Sequence, residues 1–204
     1  MLGDGGINNP WQANITVNAT KDKKYAEYIH LLCQKLFDIS PRAIQRKTKN
    51  ALVIRLASTS VVDFLVENGL PRGNKLKQGL RIPEWIFQEP IYKKLCVRGL
   101  IDTDGCLYIH KHTGQPYRNI GLSFSSLSPE LIAQVASIFD EFGIMPHITK
   151  RRRDVCLYKA SAVAEYLRVF GTSNERIRAV YRDWEASDSG LFHHLGKVAY
   201  RKVS

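Results

Sequence analysis

Two kinds of apolar spacing take turns along this chain. Trp11 to Thr20 alternates, with Ile15 and Val17 on one side, and predicts a strand. From about Asp22 the spacing turns helical, with Tyr25, Tyr28, Ile29, Leu32 and Leu36 on one face. A basic strand over Arg42 to Lys49, an apolar strand over Ala51 to Leu56 and a helix over Val61 to Glu67 follow. The same series then returns. Cys106 to Ile109 and Asn119 to Ser125 predict two strands joined through Gly114-Gln115-Pro116. Ser128 caps the next helix, with Pro129 in its first position and Glu130 behind it. Its apolar face is Leu131, Ile132, Val135, Ile138, Phe139 and Phe142. A basic strand over His147 to Arg153, an apolar strand over Val155 to Ala160 and a helix over Val163 to Phe170 complete the second series.

The return is specific enough to read as a duplication. Phe37-Asp38-Ile39-Ser40-Pro41 matches Phe142-Gly143-Ile144-Met145-Pro146, and Leu65 matches Leu167. The offset drifts by a few residues between these points, as loop insertions would cause. The predicted fold class is α+β, a duplicated αββαββα unit, with one repeat over residues 1–88 and the other over 89–204. Pro71-Arg72-Gly73-Asn74 marks a turn where the repeats join. Asn174 begins a last helix carrying Ile177, Val180, Tyr181 and Trp184, and the residues beyond Gly190 read as a basic tail or partial helix.

Charge narrows the function. The chain has 204 residues, is 44% hydrophobic and carries a net charge of +11. Lys and Arg outnumber Asp and Glu by 13 to 7 over residues 1–88 and by 17 to 12 over 89–204. The excess is therefore spread over both halves, which suits a polyanion rather than a basic tail. Cys33, Cys96, Cys106 and Cys156 have no metal-type spacing and suggest no disulfide framework. The neighbouring histidines, His110/His112 and His193-His194, do not make a metal site. No signal peptide or apolar span is visible, so the expectation is an intracellular protein, cytoplasmic or organellar.

The densest chemistry lies in Cys96-Val97-Arg98-Gly99-Leu100-Ile101-Asp102-Thr103-Asp104-Gly105. Glu89 to Leu95 starts this helix, with Pro90 in its first turn, and Gly105 suggests a left-handed closing residue. Cys96, Gly99 and Thr103 make a small-residue face that lets another backbone come close. Asp102 and Asp104 sit at the helix C-terminus, where the macrodipole disfavours anions and a divalent cation would compensate. A calcium loop is excluded, because the twelfth position counted from Asp102 is Thr113 and not a glutamate.

Val97 to Gly105 resembles the LAGLIDADG motif of homing endonucleases and related maturases, departing from it mainly at Arg98 and Thr103. Gly3-Asp4-Gly5 lines up with Thr103-Asp104-Gly105, as the tail of a first motif whose helix is largely absent. Arg81 to Ile86 resembles a phrase found before the second motif in two-motif members. The resemblance implies a site-specific endonuclease cutting both strands of double-stranded DNA with Mg²⁺, or a non-cleaving maturase or regulator on the same scaffold. Asp4 and Asp104 would hold the metal. Lys159, Arg55 and Lys21 would be the basic residues around the reacting phosphate, with Ser128 at a strand-end polar position and Asp102 in a supporting role. A curved pair of sheets would present Gln12, Asn14, Thr16 and Asn18, then Arg118, Ser123 and Ser125, to the major groove. Arg42, Gln45, Arg46 and Lys47, and Lys150, Arg151, Arg152 and Arg153, would add base or phosphate contacts. A motif helix without its partner predicts self-association through Glu89 to Asp104, or a natural product beginning about a helix length upstream.

Overall fold

A computed structural model describes residues 1–111 and 118–187. The predicted connection through Gly114 and the tail beyond Gly190 lie outside the described residues. The first half runs β1 (Gly5–Asn9), β2 (Gln12–Asn18), α1 (Lys23–Phe37), β3 (Arg42–Gln45), β4 (Ala51–Ala57) and α2 (Thr59–Glu67). After a 3-10 turn at Glu84–Gln88, the second half opens with α3 (Pro90–Asp104). It continues through β5 (Gly105–Lys111), β6 (Arg118–Ser125), α4 (Pro129–Glu141), β7 (His147–Ile148), β8 (Asp154–Leu157), α5 (Ala160–Val169) and α6 (Glu175–Glu185).

The two sheets have the same antiparallel order, β1-β2-β4-β3 and β5-β6-β8-β7. Register makes the duplication residue-exact. Gly5 pairs with Ile15 and Ile15 with Ile54, while Gly105 pairs with Phe124 and Phe124 with Val155. Ala43 lies against Ile54 as Ile148 lies against Val155. That equivalence agrees with the one read from Pro41 and Pro146.

Alternation decides which face each strand buries. In the first half Ala13 and Val17 of β2 and Ile54 and Leu56 of β4 turn to α1 and α2. In the second, Ile120, Leu122 and Phe124 of β6 join Val155 and Leu157 under α4 and α5. The apolar face predicted for α4 is buried from Leu131 to Phe139. Ser128 caps α4, accepting from the Leu131 N–H at 3.2 Å.

Some local expectations change. The face of α1 is Tyr25, Ile29 and Cys33 at strict i, i+4 spacing, while Leu36 stands 61% exposed. The sequence Gly5-Gly6-Ile7-Asn8-Asn9 has poor strand propensity, yet it is β1, held there by β2. The basic strands are shorter than predicted, because β3 ends at Gln45 and β7 at Ile148. Gly105 is not left-handed. Its φ of −84° and ψ of 152° carry α3 straight into β5. The glycine is needed for space, since a Cβ there would collide with the Ile101 carbonyl.

The join is part of the core. Leu80, Ile82 and Ile86 pack with Val97, Leu100 and Ile101 of α3. Gln134 on α4 accepts from the Ile82 N–H at 2.7 Å, and the Ser128 hydroxyl donates to the Leu80 carbonyl. Along α3, Ile91 and Leu95 are exposed, and a Cβ at Gly99 would meet nothing within 4 Å.

Candidate nucleic-acid interface and acid pair

The approach of Asp4 and Asp104 is made by backbone. The Asp4 carbonyl accepts from the Thr16 N–H at 3.1 Å, which ties the residue to β2. Its own N–H lies beside the Asp104 carboxylate at the end of α3 and helps to hold that acid's pKa down. The Thr103 hydroxyl donates to Asp104 Oδ2 at 2.8 Å. The crossing is close at Gly3, where a Cβ would displace the Asp104 carboxylate and the Thr103 hydroxyl. Burial, and then the neighbouring Asp104 charge, raises the Asp4 carboxyl to about 6. Burial also raises Asp104, against the opposing pull of the Thr103 hydrogen bond and of Lys75.

Lys75 is the residue that sequence reading missed. Its ammonium donates to the carbonyls of Leu2 at 2.9 Å, Gly5 at 2.7 Å and Gly3. Burial lowers its pKa, and the charges of Asp104 and Asp4 oppose that shift. In the sequence it is one lysine in a turn-rich join. Nothing local shows that this turn folds back over residues 2–5. The Gly73 N–H, which donates to the Ile7 carbonyl, secures the fold-back.

Two grooves meet at this point, of about 490 and 480 Å³. The first is lined by Asp4, Asn14, Thr16, Arg46, Arg55 and Lys75, among others. The second takes Gly3, Lys75, Asp104, Ser125, Arg151 and Arg153. Lys75 and Leu76 line both.

The predicted contact residues divide accordingly. Gln12, Asn14 and Thr16 share the groove face of β2, and Arg55 Nε donates to Asn14 Oδ1 at 3.3 Å. Arg42 lies opposite Arg55 and so shares that face. Arg46 lines the groove just beyond β3, and Lys47 follows it, exposed. Gln45 pairs with Leu52 and takes the helix-side face instead. Asn18 organises the turn after β2, accepting from the N–H groups of Thr20 and Lys21 at 3.1 and 2.9 Å.

In the second sheet Ser123 and Ser125 share the groove face, and Ser125 Oγ donates to Asp154 Oδ1 at 2.6 Å. Arg118 has the parity of Ile120 and Leu122 and stands on the helix-side face. Lys150 to Arg153 form a turn and not a strand. Arg152 has a φ of 51°, and its N–H donates to the Thr149 carbonyl at 2.8 Å. That geometry turns Arg151 and Arg153 to the second groove.

Lys159 is not brought to the acids. Lys159 is the N-cap of α5. It lies four residues past Val155, the β8 residue level with Gly105 through Phe124, or roughly 13 Å along the sheet. Register also shows that Arg55 and Lys159 are not counterparts. Arg55 corresponds to Cys156, and Lys159 to Ser58. Lys21 is exposed in the turn before α1.

Asp102 turns away from the grooves and is 2% exposed. Its carboxylate accepts from the Thr172 hydroxyl and from the Ser173 N–H at 2.8 Å. Burial raises its pKa and these hydrogen bonds oppose the rise. Asn174 Nδ2 donates to the Asp102 carbonyl at 2.9 Å and to Asp22 Oδ1 at 3.2 Å. Arg176 Nε reaches the same Asp22 oxygen at 3.1 Å. The N-terminus of α6 thus fastens α1 of one half to α3 of the other.

A duplicated αββ-based unit, with an acid from each half at the shared end, defines a two-motif LAGLIDADG protein. The chain belongs to this family. The WhiA LAGLIDADG-like domain matches residues 1–75, and the LAGLIDADG-like domain matches residues 92–182. The tRNA-splicing ligase RtcB of Pyrococcus abyssi is 31% identical over 161 residues, covering 75% of this chain and 17% of that protein. The probable cell division protein WhiA of Lactococcus lactis is 27% identical over 184 residues, covering 87% of this chain and 57% of that one. The chain therefore spans only part of these relatives. Among solved structures, the meganuclease I-AabMI bound to uncleaved DNA superposes with a TM-score of 0.58 at 12% identity, over 95% of this chain and 89% of its own. I-SmaMI, bound to uncleaveable DNA, gives 0.55 at 9%, over 90% and 85%. Among the described residues no helix is long and apolar enough to cross a membrane.

Proposed function

We propose that this chain binds double-stranded DNA along its two grooves and hydrolyses one phosphodiester per strand at Asp4 and Asp104 with a divalent metal. The observation that carries the reading is the meeting of the two acids, one from each half, where the two grooves join. The repeats at residues 1–88 and 89–204 would each hold one half of the target. Arg42, Arg46 and Arg55 supply positive charge along the first groove, and Arg151 and Arg153 along the second. Asn14, Thr16, Ser123 and Ser125 offer donors and acceptors to base edges. DNA in the related folds of I-AabMI and I-SmaMI supports this ligand.

The acid pair fits a hard divalent ion such as Mg²⁺. Two carboxylates, Asp4 exposed and Asp104 partly buried, are crowded together beside backbone carbonyls, so added positive charge is favourable and every donor is oxygen. Asp4 and Asp104 would hold the ion, which supplies an activated water and charge stabilisation at the leaving oxygen. Lys75 places a further positive charge at the groove junction, where the scissile phosphates would lie.

Incubation with a randomised duplex library and Mg²⁺, followed by sequencing of the cut ends, tests the reading. Defined ends are expected, and Asp104→Asn should abolish them while duplex binding persists. Parallel loss of binding would make Asp104 a structural residue. The second reading, a non-cleaving DNA binder, is favoured by Lys75, whose ammonium already compensates the acids. Tight duplex binding without cut ends would select it.

A further inference from the structure

The groove faces of the two sheets differ in kind at matched positions. Gly105, Phe124 and Val155 correspond to Gly5, Ile15 and Ile54. By register, Tyr108 stands where the bulged Asn8-Asn9 pair of β1 stands, Tyr158 where Ala57 stands and His147 where Arg42 stands. At these three positions the first sheet offers asparagine, alanine and arginine, and the second offers rings.

Those rings are placed rather than scattered. Tyr108 pairs with Gly121, and a Cβ on Gly121 would come within 2.7 Å of the tyrosine ring. The missing side chain lets the ring lie down across β6. The His110 ring is centred 5.5 Å from Tyr108. Toward the other edge of the same face, the His147 ring is centred 5.5 Å from Tyr158. Tyr158 follows β8 with the parity of Cys156, which puts it on the groove side, and it is 45% exposed.

A stacked duplex shows a protein only base edges and backbone, so ring faces find nothing flat to cover. An unpaired base offers its π-face, whatever its identity. Aromatic side chains on an open sheet are a recurring way to hold such bases. Arg151 and Arg153, in the turn between β7 and β8, supply the charge that a single strand's phosphates need.

We propose that the groove face of the second sheet is a stacking platform for unpaired nucleobases, with Tyr108 and Tyr158 as the base-contacting rings and His147 and His110 beside them. This face then takes a single-stranded segment, DNA or RNA, in a mode separate from the duplex that both grooves hold in the reading above. The platform goes beyond the duplex reading and does not depend on cleavage.

Fluorescence anisotropy with labelled oligo(dT), oligo(rU) and an abasic oligomer of equal length tests it, because the abasic strand keeps the phosphates and lacks the bases. The expected result is binding to oligo(dT) or oligo(rU) at least about tenfold tighter than to the abasic strand, a range consistent with base stacking on aromatic side chains. A preference between the two oligomers would identify the sugar. Tyr158→Ala should bring base-bearing strands toward the abasic value and leave the abasic strand unmoved, whereas Tyr158→Phe keeps the preference. Tyr108→Phe should behave like Tyr158→Phe. Tyr158 is exposed beyond the end of β8, so its alanine variant tests the platform even where Tyr108→Ala fails to fold. Equal binding of base-bearing and abasic strands by the native chain would overturn the proposal. So would a Tyr158→Ala variant that keeps the full base preference, which would leave the rings as cross-strand packing. Weak duplex binding with an intact base preference would sink the duplex reading alone.

Discussion

At the scale of single residues, the acid pair stores an electrostatic penalty that Lys75 partly offsets. The sign of its pH dependence follows. Asp4 titrates near 6 in the folded chain against an ordinary value of 3.8, so the folded state keeps a proton that the unfolded state has released. Stability from this group is therefore greatest below pH 4 and declines as pH rises through 6. Urea titrations from pH 4 to 7 should show that decline, and Asp4→Asn should flatten it. An unchanged slope in the variant would assign the pH dependence to other groups. Lys75→Met leaves the carbonyls of Leu2, Gly3 and Gly5 without this donor and removes the cation nearest the acids. It should lower the melting temperature and raise the affinity for Mn²⁺ measured by calorimetry. A variant that binds Mn²⁺ more weakly would show that Lys75 shapes the site instead of competing for it.

At the scale of elements, the helical and apolar-strand pattern was legible and the glycine positions were only half so. The face of α4 was read from Leu131 to Phe139 because a 3.6-residue period with a capped start has one solution. Gly105 was marked as a helix end, but its reason is space under the Ile101 carbonyl rather than a left-handed backbone. Gly105→Ala should therefore cost about 1–3 kcal/mol, as forced overpacking does. Thermal melts that show no loss would mean that the α3–β5 junction relaxes freely. The strand β1 was not legible, because its two glycines and two asparagines become a strand only when β2 supplies the pairing. The basic run from Lys150 to Arg153 was read as a strand, and sequence could not show that Arg152 turns left-handed there.

At the scale of the whole molecule, two features join the halves. Lys75 and Leu76 link the grooves, and the N-terminus of α6 fastens Asp22 to the end of α3. Asn174 is 1% exposed, so Asn174→Ala strands the Asp102 carbonyl and one Asp22 contact. A loss of about 1–3 kcal/mol in chemical denaturation is expected, as for other buried groups left without a partner. A loss near zero would mean that Arg176 alone secures the crossing. If the chain binds duplex as proposed, its distributed net charge of +11 should make that affinity fall steeply with salt, through counterion release. An affinity insensitive to salt would refute phosphate contact as its main source.

The sequence by itself determined the duplication, the order of most helices and strands and the family, and it marked the two candidate acids. Each is written in local spacing, capping residues and a motif, and each survives without knowing what touches what. Only the tertiary structure decided which residues meet at the groove junction. Lys75 reaches the acids through a fold-back of more than seventy residues, and Lys159 is carried away from them by strand register. Arg118 and Gln45 fall on the helix-side faces because a strand's parity is set by its partner. Periodicity records which positions are buried, whereas a site depends on how separate segments are aligned, and that alignment is fixed by pairing and packing alone.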